Sequence, residues 1–439
     1  MAPRPSSCGH GIPHLPPVSI LTASFPPHTS TPGPSPSEPS SSNRPRPPSH
    51  ALHPHHHGTL QSVSWKQELR PSVQRGQGFL SPLPATPRPW QVRNSHRIAQ
   101  TPQARYSQGS HMRVANVMLG RGRGGLEESF VVYHQALQAG GHQVVSLLDA
   151  RAAVRPEVEA LGVPVLTARV WSHWDPWSVL RVRRLLQQAQ PDVVVSHGNR
   201  AGRLLLRASR GQWPVVARLP NYRFRRILRC DGLIAILPDQ RDAVLQAGVP
   251  PHRVFYVPSA LPELPPRRNS AATDIPIISA MGRWVSIKGF DLFLKALAWL
   301  RDRGHPFRAQ LGGDGPEHRR LLRLIHTLQL QELIELPGWV HDKSAFWQRT
   351  TVACVPSRTE AFSRVLLEAM AHQMAVVVTD SEGPRQIVQH EQTGLVVPRD
   401  DWQALARALE RLLLNAPLRS QLAQAARREV EQHYTLEAV

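Results

Sequence analysis

The stretch VPSRTEAFSRVLLEAMAHQMAVVVTDSEGP, residues 355–384, holds a strand end, a loop, a helix and a second strand in direct succession. The first strand closes at Pro356, the loop carries Glu360, and a helix that starts near Ser363 carries Glu368. MAVVVTD then reads as a strand that is apolar almost without a break, as a strand covered on both faces should be. A β-α-β unit of this kind belongs to a parallel sheet.

The same alternation runs outward from this unit. Before it, IPIISAMG, FRAQLGGDG, LIELPGWV and VACVPS read as strands, and TGLVVP follows it. An earlier series comprises VANVML, QVVSLL, DVVVSHG, PVVARL, GLIAIL and RVFYVP, with helical segments such as EESFVVYHQALQAGG between them. ALPELPPRRNSAAT, residues 260–273, interrupts the pattern with turn-formers and two arginines and reads as a linker. The fold class is therefore α/β, with two doubly wound, Rossmann-like domains over residues 112–259 and 274–439. Ligands of such sheets bind at the carboxyl ends of the strands, which for two facing domains means the cleft between them.

Residues 1–111 are of another kind. They hold 21 of the 42 prolines, runs such as PGPSPSEPSSSNRPRPPSH and HPHHH, and no sustained helical or strand period. Too little apolar surface is available to offset ordering, so a disordered tail is expected. The segment ends in Gly109-Ser110-His111-Met112, which reads as the scar of a cleaved tag, and Met112 opens the first strand-like run. The expectation is that Met112 is the start, with a misread start or added sequence upstream; a regulatory tail is the alternative. The cluster His53, His55, His56 and His57 lacks the ordered surroundings that orient metal ligands, so no metal site is expected there.

The 439 residues are 41% apolar, as in an ordinary soluble protein, and the formal charge is +20. Ten Lys or Arg against two acids fall in the first 111 residues, and the remainder is basic as well. Lysine occurs only at Lys66, Lys288, Lys295 and Lys343, so nearly all the positive charge is guanidinium; an Arg-rich proteome gives this pattern without implying a polyanionic ligand. Cys8, Cys230 and Cys354 lie far apart without C-x-x-C spacing, which implies neither a disulfide framework nor a zinc site. No apolar run approaches the roughly 18 residues of a membrane span, and no signal peptide is evident. A cytoplasmic protein is expected.

Several motifs carry chemistry. In GRWVSIKGFD, residues 282–291, a strand ends at Gly282 and is followed by Arg283 and Lys288, two cations flanking a tight turn that suit a diphosphate. GGDGPEHRRLL places Asp314 to cap a helix. In LPGWVHD, Trp339 and Val340 end a strand and can offer backbone groups to a nucleobase. Glu360, beside a helix N-terminus, can accept hydrogen bonds from sugar hydroxyls while the helix amides face phosphate, and Glu368 can bind ribose hydroxyls. Earlier in the chain, Gly124 and Gly125 of GRGGLEES let backbone approach a ligand, and His197 of SHGNRAGRL stands at a strand end facing the cleft. The Arg-rich segments SVLRVRRLLQQAQ, NRAGRLLLRASRG and NYRFRRILRC, with Trp171, Trp174 and Trp177 nearby, suit an anionic membrane face or are simply solvated.

Residues 112–439, and most closely Met281 to Val397, resemble the family-4 retaining glycosyltransferases of the GT-B fold. The resemblance implies that Arg283 and Lys288 contact the donor diphosphate, Glu360 the donor sugar, Glu368 the ribose, and the amides of Phe362 and Ser363 the sugar and phosphate. It further implies that Gly124 and Gly125 approach the donor and that His197 lies near the transferred sugar. The expected donor is a nucleotide sugar, UDP-linked, with a hexose-type sugar passing to a glycan or lipid-linked acceptor of lipopolysaccharide or cell-surface polysaccharide synthesis. No metal or cofactor is expected, because the leaving phosphate oxygen takes the acceptor proton in retaining members of the fold and no convincing D-x-D pair is present. A place at the inner face of the plasma membrane is expected from the Arg-rich segments and their tryptophans.

Two departures stand out. Ala361 and Ser363 occupy positions where the family commonly has Gly, and the chain stops at HYTLEAV, where relatives usually continue into a helix packing across both domains. Other GT-B chemistry is one alternative, an epimerase or a phosphorylase; the latter needs a pyridoxal-phosphate lysine, for which Lys288, Lys295 and Lys343 offer no clear candidate. A basic nucleic-acid-binding protein is the other. It lacks basic and aromatic interleaving in any known module, and the glutamate pair would repel phosphate, so no nucleic acid partner is expected.

Overall fold

The structure is a computed structural model and describes residues 111–267 and 275–439, all within one structural unit. The tail reading of residues 1–110, with its histidine cluster and Cys8, lies outside the described residues, as do residues 268–273 of the expected linker and residue 274 of the expected second domain. The first sheet and its helices comprise β1 (Arg113–Met118), α1 (Gly125–Ala139), β2 (Gln143–Asp149), α2 (Arg155–Glu159), β3 (Val165–Ala168), α3 (Pro176–Ala189), β4 (Val193–His197), α4 (Asn199–Ser209), β5 (Val215–Arg218), β6 (Gly232–Ala235), α5 (Pro238–Gln246) and β7 (Val254–Tyr256). The second set comprises β8 (Ile277–Met281), α6 (Phe290–Asp302), β9 (Arg308–Gly312), α7 (His318–Thr327), β10 (Ile334–Glu335), α8 (Lys343–Arg349), β11 (Val352–Val355), α9 (Arg364–Ala371), β12 (Ala375–Thr379), α10 (Pro384–Ile387), β13 (Leu395–Val397), α11 (Trp402–Leu414) and α12 (Ala416–His433).

The strand orders are β3-β2-β1-β4-β5-β6-β7 and β10-β9-β8-β11-β12-β13, and the ladders are parallel. These are the two Rossmann-like sheets expected from the sequence. Each order turns back once, between β1 and β4 and between β8 and β11. Chain leaving the strands on either side of such a point diverges and opens a crevice. The register brings Met118 beside His197 in the first sheet and Ile278 beside Val352 in the second. All residues of β11 and β12 are buried, which is why they read as unbroken apolar runs.

Three readings of the sequence need correction. β3 has no counterpart among the expected strands, because VLTA is an edge strand, mostly only half-buried, without a strong apolar run. LIELPGWV contributes only Ile334 and Glu335 to the sheet; Pro337 has no N–H to donate, and Trp339 and Val340 stand in a loop rather than ending a strand. Asp314 does not cap α7, whose N-cap is Glu317; its carboxylate takes the Gly315 N–H at 2.7 Å and lies 2.8 Å from His318 Nδ1.

Each sheet has its own core, with Leu204 and Leu205 of α4 packed into the first and Phe293 and Leu297 of α6 into the second. A third cluster joins Leu366, Leu367 and Met370 of α9 and Val430 and Tyr434 at the chain end to Ile236, Leu237 and Leu261 of the first half. The Leu261 N–H also donates to the Tyr434 carbonyl at 2.8 Å. The final helix therefore returns the chain to the first half, and buried side chains of this size contribute roughly 1.5–3 kcal/mol each. No described helix is long and apolar enough to cross a membrane.

One glycine fixes the floor of the crevice. Gly289, between a short 3-10 turn and α6, has φ of 66°, and a Cβ there would lie 2.0 Å from the Pro356 carbonyl oxygen. The Arg358 N–H reaches the Ile287 carbonyl at 2.8 Å, so the loops after β8 and β11 are locked together. Gly289→Ala combines a left-handed backbone with a main-chain overlap, and a loss of about 3 kcal/mol in urea unfolding is expected. A loss below about 1 kcal/mol would show that the two loops part freely.

Candidate functional site

A cavity of about 460 Å³ lies where the two switch points face each other, within the range of small-molecule sites. One wall is the loop from β1 into α1. Gly124 is the N-cap of α1 and has no side chain to bond the helix's first amides; the Glu127 N–H meets its own carboxylate, and the amides before it face the cavity wall. Gly125 lets Arg364 of the opposite half approach, with the arginine's Cδ 3.4 Å from the place a Cβ would take.

The facing wall comes from the ends of β8, β9 and β11. Gly282 leads into Arg283, and Gly313 must be glycine because a Cβ would lie 1.9 Å from the Gly282 carbonyl oxygen. Lys288 donates to Glu360, and Ser357 Oγ holds the same carboxylate at 3.3 Å. Ser363, with φ of 69°, caps α9 by accepting the Leu366 N–H at 3.4 Å. Trp339 and Val340 close one side.

The cavity thus gathers Gly124, Gly125, Gly282, Arg283, Lys288, Trp339, Val340, Glu360 and Ser363, the residues singled out in the sequence. Three others are not on its wall. The ring of Phe362 is buried in the third cluster near Tyr434, with centroids 6.1 Å apart. Glu368 is buried behind Lys343. His197, expected to face the cleft, is buried edge-on to the rings of Phe130 and Tyr133, and its Nε2 lies 2.8 Å from Asn116 Oδ1. Burial, with the nearby Arg218, pushes its pKa well down, so the imidazole is neutral.

The structure adds charges that sequence spacing does not reveal. Lys343 Nζ lies 2.8 Å from Glu128 Oε1 and 2.8 Å from Glu368 Oε1. Arg364 Nε donates to Glu128 Oε2 at 3.0 Å, and its Nη1 donates to the Ala260 carbonyl at 3.1 Å. Burial would raise the Glu128 pKa, yet Lys343 and Arg364 outweigh it and hold the carboxyl below its ordinary value. Lys343 is raised in turn, because its two carboxylates overcome its own burial. Burial raises Glu368 despite Lys343, and raises Glu127, which faces Arg283 in the cavity wall. The one signal for Glu127 and Glu128 is their place in the first turn after a Gly-rich loop; Lys343 and Arg364 carry none.

Residues 265–429 match the family described as glycosyl transferases group 1, and residues 123–262 match glycosyltransferase family 4. Among curated proteins, the lipopolysaccharide core biosynthesis glycosyltransferase LpsE of Rhizobium meliloti (strain 1021) is 27% identical over 348 residues, covering 75% of this chain and 96% of the relative. LpsD of the same strain is 24% identical over 341 residues, with the same two coverages, 75% and 96%. Among solved structures, Anabaena Alr3699/HepE in complex with UDP and glucose superimposes with a TM-score of 0.65 at 19% identity, over 74% of this chain and 96% of that one. The chain carries a family 4 glycosyltransferase domain followed by a group 1 glycosyl transferase domain, and with the paired parallel sheets these make it a glycosyltransferase of the GT-B fold.

Proposed function

We propose that the protein transfers a hexose-type sugar, with retention, from a UDP-sugar to a glycan or lipid-linked acceptor in lipopolysaccharide or cell-surface polysaccharide synthesis. The observation that carries this reading is one cavity holding the uncapped start of α1, Arg283, and the Lys288–Glu360 pair. The helix amides and Lys288, held by Glu360, are fixed before any ligand arrives, so charge growing on a leaving diphosphate meets groups that need little reorganisation. Glu360 accepts from sugar hydroxyls while holding Lys288 toward the phosphates, and Glu368 takes the ribose. The amides of Phe362 and Ser363 serve the sugar and phosphate. Neither a metal ion nor a cofactor is needed, because the leaving oxygen itself takes the acceptor proton.

Two relatives support the details. The similarity to LpsE over nearly its whole length supports a lipopolysaccharide-type acceptor, and the UDP and glucose bound to Alr3699/HepE support the donor. Trp171, Trp174 and Trp177 are 58–69% exposed, and Arg203 and Arg207 lie 4.8 and 4.1 Å from the Trp174 ring, which suits contact with an anionic inner membrane face. The glutamates of the cavity wall favour a ligand with hydroxyls over bare polyphosphate, against the nucleic-acid reading.

Lys288→Ala is expected to lower turnover by roughly 10² to 10³, the range for losing one preorganised donor. A loss under about fivefold would remove Lys288 from the reaction. In a thermal-shift screen of UDP, GDP and ADP sugars, one donor should raise the melting temperature of the protein and fail to do so for Glu368→Ala. Equal stabilisation of both proteins would place the nucleotide elsewhere.

A further inference from the structure

The ionic cluster around Lys343 spans the cleft and, Glu368 apart, lies outside the expected donor contacts. Its ammonium touches Glu368 of α9 and Glu128 of α1 at the same 2.8 Å, so one side chain holds carboxylates from both domains. Arg364 takes the second oxygen of Glu128, at 3.0 Å, which leaves that carboxylate fully engaged. Glu368 is engaged on one side alone. Its Oε1 meets Lys343, while its Oε2 is buried and has no hydrogen-bond partner among the described residues. A buried carboxylate oxygen left open is costly unless a ligand hydroxyl fills it.

We propose that Lys343 is a positioning residue for the donor: it fixes Glu368 by one oxygen so that the other accepts a ribose hydroxyl, and by gripping Glu128 it makes that arrangement depend on contact between the domains. This rests on reading Glu368 as the ribose ligand. The lysine is well placed for both tasks. It is the first residue of α8, and Asp342 caps that helix by accepting the Ala345 N–H at 2.9 Å, which fixes the start of the helix that carries the ammonium. Removing it would leave Glu368 buried beside a second carboxylate, Glu128, with Arg364 the remaining neighbouring cation. At the C-terminus of α9, His372 Nδ1 lies 2.8 Å from the Glu368 carbonyl oxygen, and Arg427 faces His372.

The sign follows. Burial raises the Glu368 pKa and Lys343 opposes it, so loss of Lys343 raises it further, and the protonated carboxyl is a weaker acceptor for a ribose hydroxyl than the carboxylate. A Glu128 change leaves Lys343 beside Glu368 and should weaken binding equally at all pH values.

The test is calorimetric titration of the full chain with UDP, GDP and ADP at pH 8 and pH 6. For the nucleotide that binds, wild type should change less than about threefold between the two pH values, and Lys343→Met should weaken roughly tenfold more at pH 6 than at pH 8. Lys343→Arg should restore the flat profile, and Glu128→Gln should lose about fivefold at both pH values. A Lys343→Met loss that is the same at both pH values, or absent, overturns the positioning role, and wild-type affinity in Glu128→Gln overturns the coupling between domains. Unchanged affinity in Glu368→Gln, or no binding of any nucleotide to wild type, removes the ribose reading and the proposal with it.

Discussion

The contact on which the two halves depend is the ammonium of Lys343 held between Glu128 and Glu368. Two carboxylates and two cations, with Arg364 as the second, meet in a part-buried place, so the group is balanced in formal charge. Balance matters because a part-buried charge without a partner costs several kcal/mol, whereas a paired one roughly breaks even. The cluster therefore adds less to stability than to geometry. It is formed only when the start of α1 and the start of α9 come together, and that is also the condition for a closed cavity. The apolar cluster of Leu261, Leu367 and Tyr434 supplies the cohesion that the ions do not.

Close backbone approach is the second constraint, and it explains the glycines. Gly289 presses on Pro356, Gly313 on Gly282, and Gly383 on the backbone of Phe362, each leaving no room for a Cβ. Four loops, leaving β8, β9, β11 and β12, are thereby stacked on one another. Lys288 and Glu360, 72 residues apart in sequence, meet as a result. Stacking main chain rather than side chains gives a floor whose shape does not depend on rotamers, which suits a site that must place a sugar and a diphosphate relative to each other.

Most of the fold was legible because parallel strands covered on both faces must be apolar throughout, and β11 and β12 are the plainest instances. The elements that escaped, β3 and the end of LIELPGWV, lie at sheet edges, where one side is wet and the apolar signal is diluted. Site residues on strand-end loops were legible for a related reason: glycine, cations and carboxylates are conspicuous where apolar runs stop. His197 shows the limit. A histidine at a strand end can face the cleft or turn into the helix packed behind it, and the choice is made by Phe130, Tyr133 and Asn116, which no local spacing reveals. Lys343 shows another, since its partner Glu128 is 215 residues away and pairs of that kind have no period.

The choice of lysine at the centre is itself informative. The chain carries 52 Lys and Arg but only four lysines, so a cation drawn without preference would be arginine. Two of the four, Lys288 and Lys343, line the cavity. Guanidinium is a planar fork that pairs best with one carboxylate or phosphate face on, as Arg364 does here with Glu128; where it bridges two, as Arg358 does between Asp291 and Asp400, both must suit its plane. An ammonium is a point charge with three donors that can be turned in different directions on a flexible stem. Lys343 uses that freedom to reach carboxylates on opposite sides of the cleft, and Lys288 meets Glu360 on the facing wall. Arginine also bridges carboxylates in this chain, as Arg358 and Arg399 do, so what sets the two cavity lysines apart is a set of donors not held in one plane.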